Sequence, residues 1–203
     1  MPELDPIPAS LLAAARALSH GARDDARQHV QLIDQAALVS LRSQSHRPIW
    51  GPAGIARRLA RPRSQPRTSV RKSVKLATFR RDRYVCRYGH CRRWTIALPV
   101  LKALARGLPD LVCYRPNWKP VSEHILFWLY SASLEHQVGF LHGGTSQPEN
   151  LITACYGCND LKNWLHADDL GWHVTPPSTD DWDGLEGLVP GLRQQGLLTA
   201  RDI

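Results

Sequence analysis

Apolar residues recur every three or four positions near the start of the chain, and this spacing predicts two amphipathic helices. The stripe on the first helix consists of Leu11, Ala14, Ala15 and Leu18. The stripe on the second helix consists of Val30, Ile33, Ala37 and Leu41. Ser10 could cap the first helix, and Gly21 would end it. We therefore predict a helical hairpin over residues 1–45, whose apolar faces pack on the core or join two copies in a homodimer.

The pattern becomes irregular after the hairpin. Four prolines argue against a long helix there: Pro48, Pro52, Pro62 and Pro66. We predict a basic, proline-rich linker over residues 46–75, a helix over residues 73–83, and a further helix over residues 96–108 that ends near Gly107.

The second half of the chain combines short apolar runs with turn residues. Residues 151–155, LITAC, are β-prone and predict a strand. We expect a helix after it in LKNWLHADDL, with Asn159 near the helix N-terminus. From Gly171 the sequence is rich in proline and acidic residues. Residues 171–203 are therefore expected to form an extended tail that packs on the core through Trp172 and Trp182.

Charge is unevenly distributed along the chain. The net charge is +8, and basic residues concentrate between His46 and Arg93, where Asp82 is the only acidic residue. Such a run is commonly a solvated face or a flexible arm, and it can also follow a phosphate backbone. The residues that we predict to contact phosphates are Arg57, Arg58, Arg61, Arg63, Arg80 and Arg81.

Four of the five cysteines form two close pairs. The pairs are Cys86 with Cys91 and Cys155 with Cys158. Two such pairs can supply the four ligands of a tetrahedral zinc site, and small buried hydrophobes are the alternative. The second cysteine of such a knuckle usually stands where this chain has Gly89, so either Cys91 or His90 would be the ligand. Cys113 has no close partner, and we predict that it lies in the core.

The start of the chain, MPELDPIPAS, lacks the basic segment and apolar stretch of a secretory leader. No run of about 18 apolar residues occurs, so we do not expect a membrane span. Cysteines in a chain of this kind are more commonly metal ligands than disulfides. The expected compartment is the cytoplasm.

Glu135 and His136 form an acid–histidine pair that suits hydrolysis of a phosphodiester. A carboxylate can hold a divalent cation, and a neutral imidazole can remove a proton from water. A single Glu-His pair is commonly a solvated surface pair. This one is followed by a Gly-Gly turn, by Asn150, and by Asn159, which could cap a helix or reach a metal.

The segment SLEHQVGFLHGGTSQPENLITACYGCNDLKN, residues 133–163, resembles the ββα-metal core of the HNH endonuclease family. The resemblance covers about residues 78–166 and is weaker from 109 to 132. Its most specific part is NLITACYGCNDLK. It implies an α+β fold in which a zinc-stapled HNH nuclease domain occupies residues 76–170.

The resemblance also implies a role for each site residue. His136 would activate water, and Asn150 would fix the loop and orient His136. Glu135 and Asn159 would bind one catalytic divalent cation, Mg²⁺ or Mn²⁺. Lys162 stands where members often carry a lysine that can approach the scissile phosphate. Most members have Asp in place of Glu135, which leaves the geometry of this cation open.

These features predict a metal-dependent endonuclease that hydrolyses DNA. A catalytically inactive, zinc-stapled DNA-binding module and a nuclease toxin or effector are the alternatives. Restriction, phage defence and mobile-element nicking are roles that the sequence leaves open.

A second acid–histidine pair, Glu123 with His124, looks similar in isolation. Thirteen residues separate His136 from Asn150, about the loop length that the family resemblance implies. The gap from His124 is twenty-five residues and crosses the apolar run ILFWLY. We therefore assign the chemistry to His136. His124 would support the site or pack in the core, and His142 would approach the site or face solvent.

Overall fold

The structure is a computed structural model, and it describes residues 6–35, 38, 40, 69–114, 124–163 and 165–202. Helices pack against a small antiparallel sheet of two strands, which agrees with the predicted α+β class. Among the residues described, no helix combines the length and the apolar composition needed to cross a membrane. Most of the predicted linker lies outside these residues. The predictions for Arg57, Arg58, Arg61 and Arg63 therefore lie outside them too. Glu123, in a separate segment, also lies outside the described residues.

The first N-terminal helix occurs where its apolar stripe predicts it, whereas the second helix ends before most of its predicted stripe. Of that stripe, Val30 lies in the helix, Ile33 follows it, and Ala37 and Leu41 lie outside the described residues. Helix α1 spans Pro6–Ser19, helix α2 spans Arg23–Gln31, and the two pack against each other. The predicted cap at Ser10 is wrong, because the helix begins at Pro6, whose fixed φ suits a first helical turn. Gly21 follows α1 with φ of +79°, as a helix-ending glycine should. The stripe of α1 is buried in the main core of the same chain, which favours packing over dimerisation.

Two further helices match their predicted positions. Helix α3 spans Lys72–Arg81, and helix α4 spans Leu98–Gly107. Leu101 and Leu104 of α4 are fully buried in the main hydrophobic core. At Gly107, a Cβ atom would lie 2.8 Å from the side chain of Leu18, so a larger residue there would require the Leu18 side chain to shift. Helix α4 thus ties the N-terminal hairpin to the remainder of the chain.

The sheet and the helix after it form a strand–loop–strand–helix unit. Helix α5, Ile125–Tyr130, leads into strand β1, Ala132–His136. Strand β2, Leu151–Cys155, pairs antiparallel with β1 and is buried at every position, in agreement with the predicted strand. Helix α6 spans Tyr156–Lys162.

Helix α6 begins earlier than the sequence predicts. The sulfur of Cys155 caps it by accepting a hydrogen bond from the Cys158 N–H at 3.4 Å. This cap satisfies one of the free amide groups of the first turn. The prediction that LKNWLHADDL forms the helix, with Asn159 at its start, is therefore wrong, and Asn159 lies inside α6.

The tail is only partly extended, contrary to the prediction. It contains helix α7, Val189–Gln194, whose Leu192 is fully buried and which packs against α1 and α4. Trp182 anchors the tail as predicted. Its indole N–H donates to the Thr95 carbonyl at 2.7 Å, and its ring stacks on Trp94 with centroids 5.0 Å apart.

A buried carboxylate joins α3 to the sheet. Asp82 directly follows α3 and has no exposed surface. Its oxygens accept hydrogen bonds from Arg81 Nε at 2.9 Å, from Arg87 Nη1 at 2.7 Å, and from the Thr153 N–H of β2 at 2.7 Å. Because a buried charge is tolerated only when it is paired and hydrogen-bonded, this network positions α3 against β2.

We expect Asp82→Asn to lower the free energy of unfolding by about 3–5 kcal/mol, the cost of leaving a buried ion pair without one partner. The nearly buried guanidinium of Arg87 would lose its counter-charge. Urea unfolding at neutral pH measures the change. Asp181→Asn is the matched control at an exposed position. A loss as small as that of the control would mean that the network contributes little to stability.

Candidate functional site

The four paired cysteines lie together at one end of strand β2. Their sulfur atoms are all within 4.8 Å of one another, and three of the four residues are buried. The members are Cys86, Cys91, Cys155 and Cys158. Residues 86–91 form a turn whose backbone pairs with Arg93 and with the tail at His173, and this turn brings the first pair onto the second. None of the five cysteines forms a disulfide.

The geometry of this cluster fits a metal ion such as zinc. The Sγ atoms of Cys91 and Cys155 are 3.8 Å apart. Four sulfurs arranged tetrahedrally at about 2.3 Å from a zinc ion would lie about 3.8 Å from one another. Cys91 rather than His90 belongs to this group of four. His90 Nε2 lies 3.6 Å from the sulfur of Cys158.

Groups around the cluster favour a thiolate at Cys155, whereas burial raises the pKa of Cys86 and the hydrogen bond with Cys155 raises that of Cys158. Hydrogen bonds from neighbouring thiols, that of Cys158 foremost, hold the pKa of Cys155 well below its usual value, and the guanidinium of Arg93 acts in the same direction. Arg93 Nη1 lies 3.9 Å from the Cys155 sulfur. The prediction that Cys113 lies in the core is wrong. It is exposed in the irregular segment after α4, where Val112 takes the buried position.

His136 ends strand β1, opposite Leu151 in the register of the sheet. Its ring packs against Phe140 with centroids 4.4 Å apart, and its Nε2 lies 3.3 Å from the hydroxyl of Ser146. Burial, and secondarily the charge of Lys162, lowers the pKa of His136 below its ordinary value. The imidazole is therefore neutral at neutral pH, the state in which it can accept a proton.

Asn150 holds the loop between the strands. Its side-chain oxygen accepts from the Val138 N–H at 2.8 Å, and its Nδ2 donates to the carbonyls of Val138 at 2.9 Å and Thr145 at 2.7 Å. A Cβ at Gly144 would lie 1.7 Å from the Val138 carbonyl oxygen, so this close turn requires glycine. The bonds of Asn150 match the loop-fixing role that the resemblance implies.

Glu135 and Lys162 form an internal ion pair. Lys162 Nζ lies 3.0 Å from Glu135 Oε1, and the two side chains are 0% and 5% exposed. Burial raises the pKa of Glu135 to about 7, and the ammonium of Lys162 opposes this shift. The prediction that Lys162 contacts nucleic acid does not fit this placement, because a side chain without exposed surface cannot reach a phosphate.

The implied catalytic cation does not fit the donor set that Glu135 and Asn159 present. The Asn159 side chain donates through Nδ2 to the Leu134 carbonyl at 2.8 Å. The carboxylate of Glu135 accepts from Lys162 Nζ at 3.0 Å. Mg²⁺ usually retains several water molecules, and this enclosed carboxylate gives them little access. The structure thus brings Asn159 of α6 against β1, the strand that contains Glu135, without forming an open metal site.

The two described arginines of the predicted phosphate-binding set have protein partners. Arg80 pairs with Glu186 at 2.7 Å, although its side chain is 63% exposed. Arg81 donates to Asp82 and to the carbonyls of Pro148 at 2.9 Å and Leu151 at 2.6 Å. These bonds flank Asn150 on both sides. Arg81 therefore braces the loop, and its contact with a phosphate stays a prediction.

The remaining histidines have separate positions. His124 caps helix α5, where its Nδ1 accepts from the Leu126 N–H at 3.3 Å, and burial lowers its pKa. This is a structural role. His142 is exposed in the loop and stacks on His166, with ring centroids 3.8 Å apart.

Sequence reasoning missed several groups that surround the site. Phe140 and Ser146 contact His136, and both lie in the loop, where no periodic pattern marks them. The ion pair of Glu135 was also missed, although Lys162 lies three residues after Asn159 and hence on the same face of α6. That helical spacing was the signal that could have found it.

Comparison of the chain with protein-family models, with curated proteins and with solved structures finds no significant match. The resemblance to the HNH family therefore rests on the residues themselves.

Proposed function

We propose that this protein is an endonuclease that hydrolyses phosphodiester bonds of DNA at an HNH-type site centred on His136. The observation that supports this best is the setting of His136. A half-buried imidazole with a lowered pKa ends β1, beside a loop that Asn150 braces with three hydrogen bonds. The cysteine cluster lies at the other end of β2.

In the proposed reaction, His136 removes a proton from a water molecule that attacks the phosphorus in line with the departing 3′ oxygen. The departing 3′ oxygen takes a proton from solvent, so the products would carry 5′-phosphate and 3′-hydroxyl ends. Asn150 fixes the loop that follows β1, so that the imidazole of His136 faces the substrate in one orientation. Because Glu135 and Asn159 do not fit the implied divalent cation, no step of this reaction is assigned to it.

We further propose that Cys86, Cys91, Cys155 and Cys158 bind one structural Zn²⁺. Reduced thiols of this kind suit a reducing compartment such as the cytoplasm. The basic segment from His46 to Arg93, including Arg57, Arg58, Arg61 and Arg63, would contact DNA phosphates. Binding through these residues would weaken steeply with salt and would depend little on base sequence.

Cleavage of supercoiled plasmid by the purified protein tests the proposed activity. We expect nicked or linear product with at least one of Mg²⁺, Mn²⁺ and Zn²⁺, with 5′ ends that a ligase can rejoin. Plasmid with and without modified bases should be compared, because restriction and defence nucleases discriminate between them. No cleavage under any of these conditions would reject the endonuclease.

A second candidate is the catalytically inactive, zinc-stapled DNA-binding module. The specific observation in its favour is that Lys162 forms an ion pair with the carboxylate of Glu135, which is the expected cation ligand. The two candidates differ in one outcome of the same experiment. DNA binding that falls steeply with salt, without cleavage at any cation tested, would favour the inactive module.

A further inference from the structure

We propose that Glu135 and Lys162 form an internal strut that positions His136, and that Lys162 is the cation partner of Glu135 in place of a divalent metal. The positioning role rests on the proposed function, since it assumes that His136 is the reacting base. The choice of cation does not depend on that assumption.

The pair contacts the backbone of His136. The ammonium of Lys162 donates to Glu135 Oε1 and to the His136 carbonyl oxygen, each at 3.0 Å. The backbone of His136 in turn acts to lower the pKa of the Glu135 carboxyl. His136 lies at the last position of β1, where the strand leads into the loop and ladder pairing ends. The strut therefore fixes the backbone from which the imidazole projects.

Asn159 extends the same arrangement along the strand. It lies three residues before Lys162, so both side chains leave α6 on one face. Asn159 bonds the carbonyl of Leu134, and Lys162 bonds the carbonyl of His136. Alternate residues of a strand direct their carbonyls to the same side, and α6 satisfies two successive groups on that side of β1. Helix α6 is thus tied to the end of β1 at two points.

Burial decides between an ammonium and a divalent cation as the partner of Glu135. Lys162 has no exposed surface, and it supplies three donors with no acceptor, so a carboxylate and a carbonyl are suitable partners. A divalent ion at the same carboxylate would require further oxygen ligands or water. Lys162 turns an N–H donor toward this carboxylate, and Asn159 turns one toward the strand.

The test compares Glu135→Gln, Lys162→Met and the double variant in zinc-loaded protein. Each single change leaves a buried group without its partner, so we expect each to lower the Tm by on the order of 10 °C. The double variant should recover at least half of that loss, because it removes both charges together. Double-variant stability equal to the sum of the two single losses would overturn the strut.

Binding of Mn²⁺, measured by electron paramagnetic resonance, identifies the partner of Glu135. We expect the parent and Glu135→Gln to bind Mn²⁺ with affinities within twofold of each other, or neither to bind it. A tenfold or greater loss of Mn²⁺ affinity in Glu135→Gln, with an unchanged Tm, would show that Glu135 is a metal ligand and would reject the proposal.

The positioning of His136 needs a readout that general destabilisation does not change. We expect the double variant to shift the His136 ring resonances in a ¹H–¹³C spectrum. Leu192→Ala, a buried change in α7, is the control: it should lower the Tm and leave those resonances in place. Unshifted His136 signals in the folded double variant would contradict the positioning role. None of these measurements uses cleavage, so failure of the nuclease proposal appears separately, in the plasmid assay.

Discussion

Removal of the zinc that we propose for the four-cysteine cluster is expected to unfold the β2–α6 region. Structural zinc of this kind contributes on the order of 10 kcal/mol to folding. The small core around the cluster is formed largely by the ligands themselves, with Tyr88, Ile152 and Ala154 as the other buried members. Without the metal, the three buried cysteines and the partly buried Cys91 would have only one another and a few polar groups as partners. Helix α6 would also lose its Cys155 cap.

Elemental analysis of protein purified without chelator should find about one zinc per chain. Titration with a strong chelator, followed by circular dichroism, should then show loss of helix and of the cooperative thermal transition. Cys155→Ser should reproduce the effect. Cys113→Ser is the matched control, because Cys113 is exposed and outside the cluster, and it should leave zinc content and Tm unchanged. Protein that contains no zinc would refute the assignment.

The second large effect concerns the proposed base. His136→Ala is expected to lower the rate of DNA cleavage at least a hundredfold, the low end for loss of a general base. Zinc content, Tm and DNA affinity should change little, since His136 is only half-buried and its ring contacts are confined to the loop. Because burial lowers the pKa of His136, the parent should keep its activity to a lower pH than a solvated histidine would allow.

His124→Ala separates the two acid–histidine pairs. Loss of the α5 cap should cost about 1 kcal/mol of stability and leave the specific activity of the folded protein near that of the parent. His20→Ala, at an exposed position, controls for removal of a histidine as such. Cleavage that survives His136→Ala and disappears in well-folded His124→Ala would assign the chemistry to the other pair.

Local patterns were sufficient for most of the secondary structure. The α1 stripe, the helix over Leu98–Gly107 and the LITAC strand each follow from periodicity or β-propensity within one segment. Pairing of the cysteines was also predictable, because two close pairs suit a tetrahedral ion. The start of α6 was not predictable, because its capping group is a cysteine sulfur rather than one of the usual capping side chains.

The sequence by itself determined which residue types stand in which order: His136, then Asn150, then the cysteine pair and Asn159. It could not determine their partners, because these come from segments distant along the chain. Asp82 meets Thr153, and Glu135 meets Lys162, only after the strand and helices have packed. A solvated lysine and a buried lysine have the same charge and can stand at the same sequence spacing from other residues, so the sequence does not distinguish them. Only the tertiary structure decided that Lys162 lies inside and neutralises Glu135, because burial is a property of the packed chain.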